Sequence, residues 1–192
     1  MSFFERLERE TSAERLALYS VPLLLDGVAG RISRDTYVAY LTEAYHHVSH
    51  TVPLLTAARD RMDEAHAPFR AALEAYISEE TGHEQWILND IARSGGDAEA
   101  VRTGAPRAST ELMVAYAYDY VSRINPMGMF GMVYVLEGTS IALATHGAGA
   151  VASSLGLGPE CFSYLSSHGS LDQEHMKFFE GLVNTVTDPA DQ

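Results

Sequence analysis

The chain has 192 residues, of which 26 are acidic and 13 are basic, giving a formal net charge of −13 at pH 7. This length suits one domain, and the 46% share of hydrophobic residues is enough for a sizeable core. The negative charge repels phosphate backbones and argues against a nucleic-acid partner, whereas carboxylates are favoured ligands of hard cations and of iron.

The N-terminal stretch MSFFERLERE is charged throughout and lacks the apolar core of a signal peptide. No uncharged apolar run reaches the length of a membrane span. Cys161 is the only cysteine, which excludes an intrachain disulfide and fits a reducing compartment. We therefore expect a soluble, cytoplasmic protein without a membrane partner.

Helical periodicity dominates the first half of the chain. Ser33 is a plausible N-cap, Pro53 is expected to kink the helix that contains it, and the Gly95-Gly96 pair is expected to stop another. The predicted helices are one or two short ones in residues 3–19, a short one in 21–30, and long ones over 33–61 and 68–94.

The second half is also predicted to be helical. Residues 97–109 are expected to form a loop, and helices are predicted over 110–124, over 129–156 and up to about Val186. The stretch 129–156 is apolar almost throughout, which indicates a buried central helix whose glycines allow neighbours to approach closely. Ser170 with Gln173 resembles a capping box and would start the last helix at Ser170. Strand signals are weak, so we predict an all-α bundle of about seven helices.

Side chains that can bind metals recur on four of these predicted helices. Two helices each offer one carboxylate, and the other two each offer a carboxylate and a histidine three residues later, which is the ligand pattern of carboxylate-bridged diiron sites in bundles. In chain order the pattern is Glu43, then Glu80 and His83, then Glu137, and finally Asp172 and His175. His50 shares a helix face with Glu43, and His168 lies four residues before Asp172.

Each of these groups has a structural alternative when taken alone. A carboxylate and a histidine at helical spacing usually lie on the solvent-exposed face of a helix. Glu137 stands among apolar residues, where a carboxylate is costly unless it is hydrogen-bonded or paired with a cation. Because all the groups occur together on separate helices, we predict a metal site in which at least five of the side chains converge.

The same segments resemble the haem-oxygenase-like diiron oxidases and oxygenases, which share their fold with thiaminase II (TenA), the pyrroloquinoline quinone synthase PqqC and haem oxygenase. The resemblance covers nearly the whole chain. Its most specific part is His-x3-Asp-x2-His in HGSLDQEHMKFF, with Glu137 placed 31 residues before His168. The other matching segments are DGVAGRISRDTYVAYLTEAYHHVSHTVPLL, YISEETGHEQWILNDI and YVLEGTSIA.

The resemblance implies a single-domain, seven-helix haem-oxygenase-like bundle over residues 1–192. It implies two iron ions, Fe(II) or Fe(III), dioxygen as co-substrate, and oxidation of a small organic molecule such as an amino acid, amine or fatty acid. Together with the apolar helical faces, it also implies a homodimer. Glu80 and His83 match some branches of the family only, and the implied ligands are Glu43, His50, Glu137, His168, Asp172 and His175.

His47 and Tyr134 are candidate catalytic or pocket residues, although aromatic residues at helical spacing more often belong to the core. Two other activities of the fold are poorly supported. A haem oxygenase needs an axial histidine on its first helix, and no histidine precedes His46. A TenA-type thiamin hydrolase needs a mid-chain cysteine nucleophile, and the chain has only Cys161. The main alternative is a metal-free PqqC- or TenA-like enzyme, or a small-molecule-binding module, that uses the same polar residues as substrate contacts.

Overall fold

The computed structural model describes the backbone of residues 1–192 and the side chains of residues 1–144, 146–167 and 175–192. This backbone contains helices and turns and no strand, so the all-α prediction is confirmed. The α-helices are α1 Phe3–Glu10, α2 Ser12–Tyr19, α3 Pro22–Val28, α4 Arg34–Val48, α5 Thr51–Arg61, α6 Ala67–Glu80, α7 His83–Arg93, α8 Ala98–Thr103, α9 Ala108–Asp119, α10 Gly128–Leu155 and α11 Ser163–Val183.

The predicted count of seven helices is approximate, because each of the two predicted long helices is divided. The first is divided after Val48, and α5 begins at Thr51. Pro53 has no N–H to donate to the carbonyl of Ser49, and in a continuous helix its ring would clash with that carbonyl. The proline therefore separates two helices rather than kinking one.

The second predicted long helix is divided at Thr81 and Gly82. Gly82 has φ +94°, a left-handed conformation that glycine adopts without the steric cost of a Cβ atom. Gly95, with φ +86°, follows the end of α7 as predicted. The expected loop after it contains the short helix α8, because the side chain of Asp97 accepts from the backbone N–H groups of Glu99 and Ala100.

The last helix begins at Ser163, so the capping-box pattern at Ser170 does not mark its start. The chain enters α11 through a short 3₁₀ turn, Pro159–Cys161, and the N–H of Ser166 already donates to the carbonyl of Phe162. The helical hydrogen-bond ladder is thus established before the sequence reaches the capping-box pattern.

The apolar stretch forms α10 as predicted, with a bend of 48° between Gly128–Ala144 and His146–Leu155. Close approach is not found at Gly138 or Gly149, where an added Cβ would meet no described atom within 4 Å. It occurs at Gly30, where a Cβ would lie 2.9 Å from the carbonyl oxygen of Ala150. None of the described helices is by itself long and apolar enough to cross a membrane, and only the two parts of α10 taken together meet that test, by length and composition alone.

The chain divides into two compact units. Unit 1 comprises Met1–Ile32 and Gly131–Gln192, and unit 2 comprises Ser33–Phe130. In unit 1, α1 packs on α11. In unit 2, α4 packs on α7 and α9, and α5 packs on α6 and α9. The assignment of residues 1–192 to a single domain stays a prediction.

Candidate functional site

Unit 1 brings together two of the predicted ligands, Glu137 of α10 and His175 of α11. The Oε1 atom of Glu137 lies 3.3 Å from the Nδ1 atom of His175. Both side chains are largely buried, with 12% and 15% of their surface exposed. The carboxylate that stands alone among apolar residues in the sequence therefore has an imidazole from another helix beside it. The side chains of His168 and Asp172, which belong to the same predicted motif, lie outside the described residues.

Unit 2 contains a second carboxylate–imidazole pair, Glu80 and His83. The Oε2 atom of Glu80 lies 2.9 Å from Nδ1 of His83; the His83 side chain is buried and that of Glu80 is largely buried. Glu80 is the last residue of α6 and His83 is the first of α7, so their spacing spans a break instead of one helical turn, which corrects the expectation. The imidazole stacks on Trp86, with 4.0 Å between the ring centroids.

Glu43 of α4 contacts the N-terminus of α9. Its Oε2 atom accepts from the backbone N–H of Arg107 at 3.1 Å and from the Thr110 hydroxyl at 2.5 Å. Its Oε1 atom lies 3.7 Å from Nε of Arg107. A carboxylate is electrostatically favoured at this position, since the first N–H groups of a helix have no partner within the helix.

His50 lies in the break between α4 and α5, where it is the N-cap residue of α5. Its Nδ1 atom is 3.1 Å from the hydroxyl of Tyr118 on α9, and the two rings meet edge to face. Burial raises the pKa of the Tyr118 phenol, so this hydroxyl is neutral at physiological pH. Glu43 and His50 are thus both bonded to α9.

The two predicted catalytic residues lie in different surroundings. His47 is half-buried on α4. Tyr134 is buried among aromatic rings: it stacks on Phe179, meets the edge of Phe4, and has the guanidinium of Arg15 5.4 Å from its ring centroid. Burial raises its pKa. These contacts are typical of a core residue, and the catalytic role of Tyr134 stays a prediction.

The donor atoms fit iron in chemical type, since carboxylate oxygen and imidazole nitrogen are common ligands of that metal. Among the side chains that the structure describes, no three of His, Cys, Asp and Glu are close enough to one another to hold a metal ion. Two buried carboxylate–imidazole pairs are present, one in each unit. The convergence of five or more ligands stays a prediction.

A sequence model of the family described as iron-containing redox enzyme matches residues 38–192. The chain belongs to this family. The predicted superfamily is thereby confirmed, and the match covers every candidate ligand of both units. No protein of curated function matches the sequence significantly.

The similarity of this chain to solved structures shows that its fold is haem oxygenase-like. A domain of unknown function with a heme oxygenase-like fold from Shewanella denitrificans OS217 has a TM-score of 0.87 and 23% identity, covering 98% of this chain and 82% of that one. A TenA homologue from Pseudomonas syringae pv. tomato has a TM-score of 0.81 and 13% identity, covering 95% and 79%. A TenA homologue from P. horikoshii OT3 has a TM-score of 0.80 and 8% identity, covering 100% and 88%.

The sequence patterns do not identify the residues that hydrogen-bond to the predicted ligands Glu43 and His50. Thr110 and Tyr118 lie more than sixty positions from the side chains they contact, at separations of 67 and 68 residues. The structure also shows that Trp86 stacks on His83. The i, i+3 spacing of His83 and Trp86 was the one available signal for that contact.

Proposed function

We propose that the protein is an iron-dependent oxidase or oxygenase that uses dioxygen to oxidise a small organic substrate such as an amino acid, amine or fatty acid. The observation that carries the proposal is the buried pair of Glu137 and His175, whose facing atoms are 3.3 Å apart. Membership of the iron-containing redox enzyme family supports it independently.

A buried carboxylate–imidazole pair contributes little to the stability of the folded protein. Removing two ionisable groups from water is costly, and well-packed apolar residues in their place are often as stable. Such a pair is more readily explained when a divalent cation takes both groups as ligands. Glu137 supplies negative charge for the cation, and His175 supplies a nitrogen lone pair when it is neutral.

Glu80 and His83 form the second pair, and we propose that they also bind iron. The indole of Trp86 packs against the His83 ring and restricts its rotation. Both pairs are shielded from water by neighbouring side chains, which favours charge pairing with a cation. When bound, two iron ions would supply the redox centre that reacts with dioxygen. The residues proposed to hold them are Glu43, His50, Glu80, His83, Glu137, His168, Asp172 and His175.

The second candidate function is a metal-free enzyme or binding module related to the TenA homologues. One observation favours it: each imidazole faces a carboxylate, an arrangement that offers both a hydrogen-bond donor and an acceptor to a polar substrate. In that case the pairs would bind polar groups of a substrate. The small-molecule substrate, the homodimer and a cytoplasmic location belong to both proposals.

The two candidates are separated by loading the protein with Fe(II) under nitrogen and mixing it with oxygenated buffer in a stopped-flow spectrometer. We expect an absorbance change that requires iron, dioxygen and protein together, and that is altered by a substrate of the right class among amino acids, amines and fatty acids. Zinc-loaded and metal-free protein serve as controls. If the iron-loaded protein consumes dioxygen no faster than free Fe(II) and gives no absorbance change, the oxidase proposal fails.

A further inference from the structure

We infer that helix α9 orients two of the proposed iron ligands, with Thr110 positioning Glu43 and Tyr118 positioning His50. The inference rests on the proposed function, because it takes Glu43 and His50 as ligands. Neither Thr110 nor Tyr118 is assigned a role by the family match. All four residues lie in unit 2, so the argument uses contacts within one compact unit.

One oxygen of Glu43 is fixed and the other is available. Oε2 accepts from both the Arg107 N–H and the Thr110 hydroxyl, which sets the orientation of the carboxylate. Among the described residues, the ion-pair partner of Oε1 is the guanidinium of Arg107, with Nε 3.7 Å away. An oxygen at that distance from a mostly exposed arginine can exchange this contact for a metal ion. The Thr110 hydroxyl therefore selects which carboxylate oxygen is presented.

The contact with Tyr118 similarly fixes one ring nitrogen of His50, Nδ1. Its Nδ1 atom lies 3.1 Å from the Tyr118 hydroxyl, and no other hydrogen bond of the His50 side chain is found among the described residues. If Nδ1–H donates to the phenol oxygen, Nε2 carries the lone pair that a metal requires. Histidine ligands commonly donate their second ring N–H to a hydrogen-bond acceptor, which fixes both the tautomer and the ring orientation.

Helix α9 is suited to hold both side chains at once. Thr110 and Tyr118 are eight residues apart on the helix, a spacing that places them on roughly the same face. The chain after α9 forms a π-helical turn, Tyr120–Ile124, whose Val121 carbonyl accepts from Nη1 of Arg61 at 2.7 Å. Arg61 ends α5, and His50 caps its start, so α5 is bonded to this part of the chain at both ends.

The first test is the tautomer of His50 in the metal-free protein, measured by ¹⁵N NMR of the imidazole. We expect the Nδ1–H tautomer to predominate in the wild type and a mixture in Tyr118→Phe, with little change for Tyr116→Phe, an exposed tyrosine on the same helix. A wild-type His50 that carries its proton on Nε2, or that Tyr118→Phe leaves unchanged, would overturn the inference whether or not iron binds.

The second test is Fe(II) affinity under nitrogen, measured by competition with a coloured chelator. Tyr118→Phe and Thr110→Val should each weaken binding by about 10- to 100-fold, as is usual when a partner of a metal ligand is removed, while Tyr116→Phe stays like the wild type. Thr110→Ser, which keeps the hydroxyl, should restore affinity. The thermal midpoint of each metal-free variant shows whether it folds.

The outcomes separate this inference from the proposed function. Wild-type protein that binds iron, together with Tyr118→Phe and Thr110→Val variants that bind it equally well, would overturn the role of α9 and leave the proposed function standing. Wild-type protein that binds no iron would overturn both. Loss of affinity in Thr110→Val that Thr110→Ser does not restore would show that the helix end, and not the hydroxyl, is responsible.

Discussion

Glu137→Gln should lower the iron content from about two ions per chain to about one or none and abolish the oxygen-dependent absorbance change. The substitution keeps the shape of the side chain and removes its charge. The amide keeps an oxygen that can serve as a hydrogen-bond acceptor toward His175, whose Nδ1 atom lies 3.3 Å from Oε1 of Glu137. The metal-free variant should therefore keep its helical content and be as stable as the wild type or slightly more so, since a buried charge has gone.

The matched control for this variant is Glu180→Gln, which changes an exposed carboxylate on α11 in the same unit. It should bind iron as the wild type does. Iron content is measured by elemental analysis after anaerobic loading and desalting, and folding by circular dichroism. Glu137→Gln protein that retains the wild-type iron content would make Glu137 a structural residue and remove the best single support for the iron site.

Phe179→Ala should lower the free energy of unfolding by about 3–5 kcal/mol, the usual cost of leaving a phenylalanine-sized cavity in a core. Phe179 is 1% exposed, and its ring contacts the aromatic rings of Tyr134 and Phe4. It thereby joins α1, α10 and α11 in unit 1. The measurement is urea denaturation followed by circular dichroism.

Phe178→Ala provides a control at the adjacent position. Phe178 is 53% exposed, so its removal should change the free energy of unfolding by about 1 kcal/mol or less. If both variants lose the same stability, or if Phe178 proves the more costly, the assignment of the α11 face that packs against α1 and α10 is wrong.

The all-α fold was predictable because apolar residues recur at helical spacing along the whole chain. The ends of the helices were less predictable. That spacing continues through Ser49 and Thr81, and it gives no sign that the backbone leaves the helix there. Pro53 was recognised as a disruption, but whether a proline kinks or divides a helix depends on the packing of the helices on either side. The sequence pattern around Gly82 is that of a helix and does not indicate the left-handed φ that this residue adopts.

Electrostatics predicts that Glu137 has a partner from elsewhere, since a carboxylate in an apolar helix is costly without one, but it does not identify His175 as the facing residue. The bonds from α9 to Glu43 and His50 could not be anticipated in this way. Thr110 and Tyr118 are common residue types without a local motif, and their contacts depend on how α4, α5 and α9 pack in unit 2. Local pattern thus identifies candidate ligands but not the residues that orient them.

The most direct test of the account is the number of iron ions that wild-type protein retains after loading with Fe(II) under nitrogen and removal of free metal. We predict about two ions per chain, as expected for a carboxylate-bridged pair in a helical bundle. Protein that retains no iron under these conditions, although correctly folded, would contradict the proposed oxidase and favour a metal-free enzyme or binding module of the same fold.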